Sequence, residues 1–210
     1  MSDRYLIPAL KNTEFYRVEE TIKRSRFIST IAHTASTEAA KVFITQIKDE
    51  FSDASHNCWA FQCGPPADTA HVGMSDDGEP HGTAGKPMLG MLLHGNVGEL
   101  TCVVTRYFGG IKLGTGGLVR AYSGMVKRAL TDLPVHEKIS FIKVHVIIDY
   151  SHITLVKRLL PDFEAEIIST TFTADAAFIL QLPKEQCPKF KKALTQLTHG
   201  EVLFSNLSKE

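Results

Sequence analysis

The chain has 210 residues, of which 43% are apolar and 22% are charged, and its formal net charge is zero. This length and composition are typical of a folded protein with one large or two small domains. Basic and acidic residues are also balanced on either side of Val135. The composition therefore excludes binding to nucleic acid through overall charge, and any such contact must use a local basic patch.

The four cysteines are scattered along the chain and contain no C-x-x-C pair, which favours reduced thiols over a disulfide framework. The first ten residues carry charges and lack the apolar centre of a signal peptide. No apolar run approaches the roughly 20 residues that cross a bilayer. We therefore expect a cytoplasmic protein with no membrane partner.

The first predicted elements are a hairpin, a helix and a further strand. Strand-like runs over residues 15–21 and 26–33 flank a polar turn. Ser36 is suited to cap a helix over residues 37–51, whose apolar residues recur at helical spacing. A strand over residues 56–63 follows.

Residues 64–85 lose periodicity and are rich in Gly, Pro, Asp and Ser, so they are predicted to form one long loop. Loops of this length inside a compact domain are usually functional or disordered. Three carboxylates, Asp76, Asp77 and Glu79, lie in its core, SDDGEPHGTAG. Carboxylate oxygens suit Mg²⁺ when a phosphorylated ligand completes its shell. The alternative is that they cap turns or pair with Arg106 or Lys86, and no spacing here assigns a metal site.

A helix is predicted over residues 88–94. The segment TRYFGGIKLGTGGL then connects a predicted strand over residues 100–104 to a predicted helix over residues 118–133. A glycine-rich turn from strand to helix presents backbone N–H groups at the positive end of the helix dipole, which suits phosphate or another anion. The alternative is that the glycines serve only tight turns and close packing. The segment matches neither a P-loop nor a dinucleotide fingerprint.

The predicted binding site has a basic side and an acidic side. The anion- or nucleic-acid-binding residues are Arg106, Gly109, Gly110, Lys112, Gly114, Gly116, Gly117, Arg120 and Lys127. The acidic loop residues expected to face them are Ser75, Asp76, Asp77, Glu79 and Lys86.

Pro134 predicts a boundary between a domain over residues 1–134 and a second over 135–210. The second reads as strands over residues 139–149, 165–173, 176–182 and 201–206, with helices over 151–160 and 184–198. This βαββαβ order is the ferredoxin-like pattern.

The segments SDDGEPHGTAGKP and RYFGGIKLG, with SRF at residues 25–27 and HNCWA at 56–60, resemble the IMPACT family, particularly its bacterial YigZ-type members. The resemblance covers nearly the whole chain. It implies an α+β protein with a ribosomal protein S5 domain 2-like domain followed by a ferredoxin-like domain. That pair is similar to the fourth and fifth domains of elongation factor G, which implies RNA or ribosome contact by analogy of fold.

Three functions remain open at this point. The first is a translation-associated regulator that binds RNA, the ribosome or another phosphate-bearing ligand through the glycine-rich basic loop. The second is a Mg²⁺-dependent enzyme acting on a small phosphorylated or nucleotide substrate, and the third is a scaffold with a protein partner. No catalytic residue is identified and no cofactor is firmly implied. His56 and Cys58 form neither a zinc ligand set nor a triad, so we expect structural roles for them.

Overall fold

The computed structural model describes residues 3–11 and 14–205. The chain divides into two compact units, Met1–Lys138 and Ile139–Glu210. Both combine strands with helices, which confirms the α+β class. Among the described residues, no helix has the length and apolar character needed to cross a bilayer.

The first unit is a five-stranded antiparallel sheet covered by helices. Its first and last strands pair with each other in a separate two-stranded sheet. Its strands are β1 (Arg4–Pro8), β2 (Tyr16–Ile22), β3 (Ser25–His33), β4 (His56–Gln62), β5 (Val72–Ser75), β6 (Leu100–Tyr107) and β7 (Val135–Ile139). Its helices are α1 (Thr37–Glu50), α2 (Gly85–Leu93) and α3 (Thr115–Thr131). The sheet order is β2-β3-β6-β4-β5.

Strand β6, at the centre of the sheet, shows how the layers are built. Successive side chains on a strand point to opposite faces. Cys102 and Val104 therefore join the buried cluster made with α2 and α3, while Val103 joins the cluster made with α1. The sheet lies between α1 on one face and α2 with α3 on the other.

The prediction of an uninterrupted loop over residues 64–85 is wrong, because the segment contains β5. This strand pairs with β4, with Ser75 opposite Trp59 and Gly73 opposite Phe61. Its four residues, VGMS, are too few to show a strand period in the sequence. Gly73 leaves room for the ring of Phe61, since a Cβ at this position would lie 2.5 Å from that ring.

The glycine-rich segment is also shorter as a loop than predicted. Strand β6 continues to Tyr107, so Arg106 extends from a strand. Helix α3 begins at Thr115, which places Gly116 and Gly117 in its first turn instead of the loop before it. Two glycines in a first turn weaken the sequence signal for a helix start, because glycine has low helix propensity.

Strands β1 and β7 were not predicted, and they pair with each other in a two-stranded sheet. The buried carboxylate of Glu99 ties this sheet to the rest of the unit. It accepts hydrogen bonds from Tyr5 Oη at 2.7 Å and Lys138 Nζ, and it lies 3.0 Å from His33 Nε2. Burial alone raises the pKa of Glu99, but these partners outweigh burial and lower it.

The second unit is a four-stranded sheet with two helices on one face. Its elements are β8 (Phe141–Ile148), α4 (Ile153–Leu159), β9 (Glu166–Phe172), β10 (Ala176–Pro183), α5 (Cys187–Leu197) and β11 (Leu203–Ser205). The order β11-β8-β10-β9 confirms the ferredoxin-like prediction. The strand predicted over residues 139–149 is β8, but it starts later than predicted, because Ser140 separates it from β7, which contains Ile139. Asn206, the predicted end of the last strand, lies outside the described residues.

Candidate functional site

A cavity of about 410 Å³ opens where the acidic loop meets the segment between β6 and α3. Its lining residues are His56, Glu79, Pro80, Arg106, Phe108, Lys112, Leu113, Gly114, Thr115 and Leu118. The volume falls within the range typical of small-molecule sites. Glu79 and Pro80 come from the acidic loop, so the two segments that the sequence singled out meet at this cavity.

Arg106 and Glu79 form a buried ion pair in the cavity wall. Arg106 Nη1 donates to Glu79 Oε1 at 2.6 Å, and the side chains are 6% and 3% exposed. Tyr122 Oη donates to the same oxygen at 2.8 Å, and burial raises the pKa of Tyr122 far above its usual value. Arg106 Nη2 lies 3.3 Å from Ser25 Oγ. Glu79 therefore compensates the positive charge of Arg106 inside the protein.

One nitrogen atom of the Arg106 guanidinium has no hydrogen-bond partner in the described part of the chain. Its Nε–H is buried and has no hydrogen-bond partner among the described residues. The guanidinium carbon lies 5.5 Å from the ring centres of both Phe27 and Phe108. Phe27 is fully buried, whereas Phe108 is 50% exposed. The guanidinium is thus held by aromatic rings, and one of these rings is open to solvent.

The cavity also contains two hydrogen-bond acceptors. Glu79 Oε2 lies 3.9 Å from His56 Nε2, which is too long for a hydrogen bond. His56 Nδ1 lies 2.8 Å from the carbonyl oxygen of Asp77, which can only accept. We therefore assign the proton of the neutral ring to Nδ1, which leaves Nε2 as an acceptor.

Another part of the cavity wall is positive. Gly114, with φ 73°, leads into the 17-residue helix α3, whose first turn has no side-chain cap. The first N–H groups of a helix lack partners within the helix and carry the positive end of its dipole. Lys112 lines the same cavity and is exposed. Lys112 and the start of α3 therefore supply the positive charge that Glu79 does not compensate.

The glycines of the predicted site have different roles. A Cβ on Gly109 would lie 1.9 Å from the carbonyl oxygen of Arg24, and Gly109 N–H donates to Ser25 Oγ at 3.2 Å. Gly109 therefore serves the close approach of this segment to the β2–β3 hairpin. Gly110, with φ 84°, supplies a left-handed turn.

Two predicted basic residues are not brought to this cavity. Arg120 lines a separate cavity of about 210 Å³ together with Lys23 and Gly117. Lys127 is exposed one turn from the end of α3 and lines neither of these two cavities. A ligand that contacts them must extend along the outer face of α3.

The carboxylate of Asp76 caps helix α2. It accepts N–H hydrogen bonds from Gly82 at 2.8 Å, Ala84 at 3.0 Å and Gly85 at 2.8 Å. Burial raises the pKa of Asp76, but these hydrogen bonds outweigh burial and lower it overall. Helix α2, which follows the acidic loop, is thus capped by a side chain from within that loop.

Asp77 holds the loop against the sheet. Its carboxylate accepts from Lys48 Nζ and, at 2.7 Å, from the N–H of Asn57 on β4. Ser75 Oγ in turn accepts the N–H of Asp77 at 3.1 Å. Lys86 is exposed on α2 and does not line the cavity. Among the predicted acidic-side residues, only Glu79 lines it.

The carboxylates do not converge on one point. Within the described part of the chain, no three side chains of His, Cys, Asp or Glu are grouped to hold a metal ion. Asp76, Asp77 and Glu79 each engage protein donors instead. Mg²⁺ bound together with a phosphorylated ligand stays a prediction.

Sequence reasoning did not include His56, Phe108 and Tyr122 in the site. The available signals were the histidine at the start of the HNCWA strand and a tyrosine on the apolar face of α3. A buried tyrosine hydroxyl usually finds a hydrogen-bond partner, and here that partner is Glu79.

Comparison with known proteins identifies two domains in this chain. The model of the Impact N-terminal domain matches residues 23–130, and a domain of unknown function, DUF1949, matches residues 146–201. This order agrees with the predicted succession of an S5 domain 2-like and a ferredoxin-like domain.

The IMPACT family member YigZ of Escherichia coli (strain K12) is 42% identical over 200 residues, covering 95% of this chain and 96% of the relative. An IMPACT family member of Haemophilus influenzae (strain ATCC 51907 / DSM 11121 / KW20 / Rd) is 41% identical, covering 97% of each chain. A crystal structure described as that of a hypothetical protein matches with a TM-score of 0.66 and 40% identity over 100% of both chains. The chain belongs to the IMPACT family.

Proposed function

We propose that this protein is a translation-associated regulator that binds RNA, free or in the ribosome, through phosphate contacts at the cavity beside α3. Membership of the IMPACT family supports a translation-related role. The observation that carries the proposal is the uncapped start of α3 opening on a cavity that Lys112 and Arg106 also line.

The phosphate has a specific place in this proposal. Backbone N–H groups at a helix N-terminus bind anions because they are unpaired and the helix dipole is positive there. Arg106 is compensated by Glu79, so Lys112 supplies the free side-chain charge. One phosphate group therefore fits the cavity better than a run of phosphates.

Further phosphates would lie along the outer face of α3. Arg120 and Lys127 are exposed there, and neither forms an ion pair with a described residue. The neighbouring Arg128, by contrast, pairs with Glu20 at 3.0 Å. A single strand that crosses the cavity and follows α3 would meet three free cations. For single-stranded RNA, we then expect the logarithm of the binding constant to fall with the logarithm of the salt concentration with a slope of about −2.

The test is a fluorescence-anisotropy titration of labelled single-stranded RNA at low and increasing salt. We expect Lys112→Ala and the double variant Arg120→Ala/Lys127→Ala to weaken binding and to reduce the salt slope by about 0.7 per lysine or arginine removed. Lys41→Ala is the matched control, because Lys41 is exposed on α1, across the sheet from α3. No RNA binding at low salt, or equal binding by all variants, would contradict the proposal.

A further inference from the structure

The cavity presents two kinds of hydrogen-bonding group. Lys112 and the first turn of α3 offer donors and positive charge. Glu79 Oε2 and His56 Nε2 offer acceptors, and neither makes a hydrogen bond with a described residue. An internal RNA phosphate would use only the donors. A ligand that uses the whole cavity must carry an anion at one end and hydroxyl or amine donors nearby.

We propose that the cavity binds a ribose 5′-monophosphate unit with its base, as found at the end of an RNA strand or in a free ribonucleotide. The phosphate lies at the start of α3 beside Lys112. The 2′-hydroxyl of the ribose donates to His56 Nε2, and in a free ribonucleotide the 3′-hydroxyl donates to Glu79 Oε2. The base stacks on the exposed ring of Phe108. This inference rests on the proposed function, because it names the ligand of the same site.

A terminal phosphate suits the donor wall better than an internal one. A phosphate monoester carries close to two negative charges at pH 7 and three acceptor oxygens, whereas a diester carries one charge and two free oxygens. The start of α3 supplies several N–H groups directed to one place, and Lys112 adds a full charge. More of these donors are satisfied by the monoester.

The buried donor of Arg106 is an independent sign of a ligand. Its side chain is 6% exposed, and its Nε–H has no partner among the described residues. Buried polar groups in proteins are nearly always hydrogen-bonded, so such a group calls for an acceptor that the chain does not supply. Arg106 lines the cavity, so a ligand seated there lies next to this guanidinium.

The size and the aromatic wall point to a single nucleotide. A volume of about 410 Å³ is near the lower end of small-molecule sites and holds one nucleotide, not a folded RNA element. The ring of Phe108 is 50% exposed and is backed by the guanidinium of Arg106 at 5.5 Å. A half-exposed ring held in place is suited to base stacking, which tolerates any base.

The ligand test is isothermal titration calorimetry on the full chain with small molecules that differ by one group. We expect adenosine 5′-monophosphate to bind at least tenfold more tightly than adenosine, 2′-deoxyadenosine 5′-monophosphate, ribose 5-phosphate or inorganic phosphate. The strand-end source is tested with RNA oligomers of one sequence carrying a 5′-phosphate or a 5′-hydroxyl. Preference for the phosphorylated oligomer assigns the site to strand ends, and tight binding of the mononucleotide with no such preference assigns it to free ribonucleotides.

Variants then assign the contacts. Phe108→Leu is expected to weaken the mononucleotide about tenfold and to leave ribose 5-phosphate unchanged. His56→Phe is expected to abolish the preference for the ribonucleotide over the deoxyribonucleotide, with circular dichroism confirming the fold. Phe141→Leu in the second unit is the matched control, since Phe141 is 49% exposed and distant in sequence.

The outcomes separate this inference from the proposed function. If RNA binds and Lys112→Ala weakens it, but neither the mononucleotide nor the 5′-phosphate confers any advantage, the inference is overturned and the proposed function stands. If the mononucleotide binds with the predicted preferences and no RNA binds, the inference stands and the RNA-binding function is overturned. Equal affinity for ribo- and deoxyribonucleotides overturns the assignment of His56 to the 2′-hydroxyl of the ribose.

Discussion

The guanidinium of Arg106 lies 2.6 Å from the carboxylate of Glu79, and both side chains are closed off from solvent. The two residues are 27 positions apart, so the ion pair joins the end of β6 to the acidic loop. Charges in a low-dielectric surrounding are tolerated when they are paired and hydrogen-bonded. The loop that carries three carboxylates is therefore tied at Glu79 to the end of β6.

Removing one partner of this pair should be costly. Arg106→Met leaves the carboxylate of Glu79 buried without its cation, and we expect a loss of about 3–5 kcal/mol in the free energy of unfolding. Urea denaturation followed by circular dichroism measures it. The double variant Arg106→Met/Glu79→Leu removes both charges and should recover part of the loss.

Arg26→Met is the control for this experiment. Arg26 also pairs with a glutamate, Glu19, at 2.7 Å, but the side chains are 51% and 49% exposed. Exposed pairs contribute little to stability, so this variant should have a small effect. Equal losses for Arg106→Met and Arg26→Met would show that the buried pair has no special role.

The cap that Asp76 places on α2 should appear in the acid stability of the protein. Its folded-state pKa lies below the ordinary value of 3.8, so its contribution is complete above that value and is lost as the pH falls through the folded-state pKa. Asp76→Asn should therefore reduce stability by about 2 kcal/mol at pH 7. The difference from wild type should shrink below pH 4, as measured by urea unfolding at pH 7, 4 and 3.

Asp132→Asn is the matched control for the cap, because Asp132 is exposed at the C-terminal end of α3. It should change stability by no more than about 0.5 kcal/mol at any of these pH values. A pH-independent difference between wild type and Asp76→Asn would contradict a role for the ionised carboxylate.

Two glycines of the same segment should respond oppositely to alanine. Gly109→Ala puts a Cβ 1.9 Å from Arg24 O, so the β2–β3 hairpin must shift and stability should fall by more than 2 kcal/mol. Gly116→Ala meets no atom within 4 Å, and alanine in the first turn of α3 should stabilise by about 0.5–1 kcal/mol. Thermal unfolding of the two variants compares them directly, and equal effects would refute the difference in packing.

The cysteines should differ in reactivity. Cys58, Cys63 and Cys102 are buried, whereas Cys187 is partly exposed. Burial raises the pKa of Cys58 and of Cys102 to about 12, so neither thiol ionises near neutral pH. At pH 8 Ellman's reagent should modify one thiol of the native protein quickly and the remainder only in denaturant. Rapid native modification of Cys58, identified by mass spectrometry, would contradict this.

Local sequence patterns were enough to predict the elements whose signals lie within one segment. Ser36 was predicted to cap α1, and its Oγ does accept the N–H of Ala39 at 3.2 Å. The order of the ferredoxin-like unit followed from alternation and helical period. Strands β1, β5 and β7 were not found, because each has only four or five residues. In addition, β1 and β7 pair with each other from opposite ends of the first unit.

The two segments that meet at the cavity could be singled out from the sequence, but the roles of their residues could not. Asp76, Asp77 and Glu79 are chemically alike in the sequence, yet one caps a helix, one holds β4 and one neutralises Arg106. These differences depend on which donors the fold brings within about 3 Å. Neighbouring residue types do not encode that information, and the same reason hid His56 and Tyr122.

The pairing of β1 with β7 has a consequence for synthesis on the ribosome. The strand made first in the first unit has its partner at the far end of that unit, beyond all of its other strands and helices. At a translation rate of about 5–20 residues per second, β1 waits on the order of ten seconds for β7. Lys138 also reaches the carboxylate of Glu99 only then. The nascent chain can assemble its five-stranded sheet earlier, but it closes the unit only when the link to the second unit has been made.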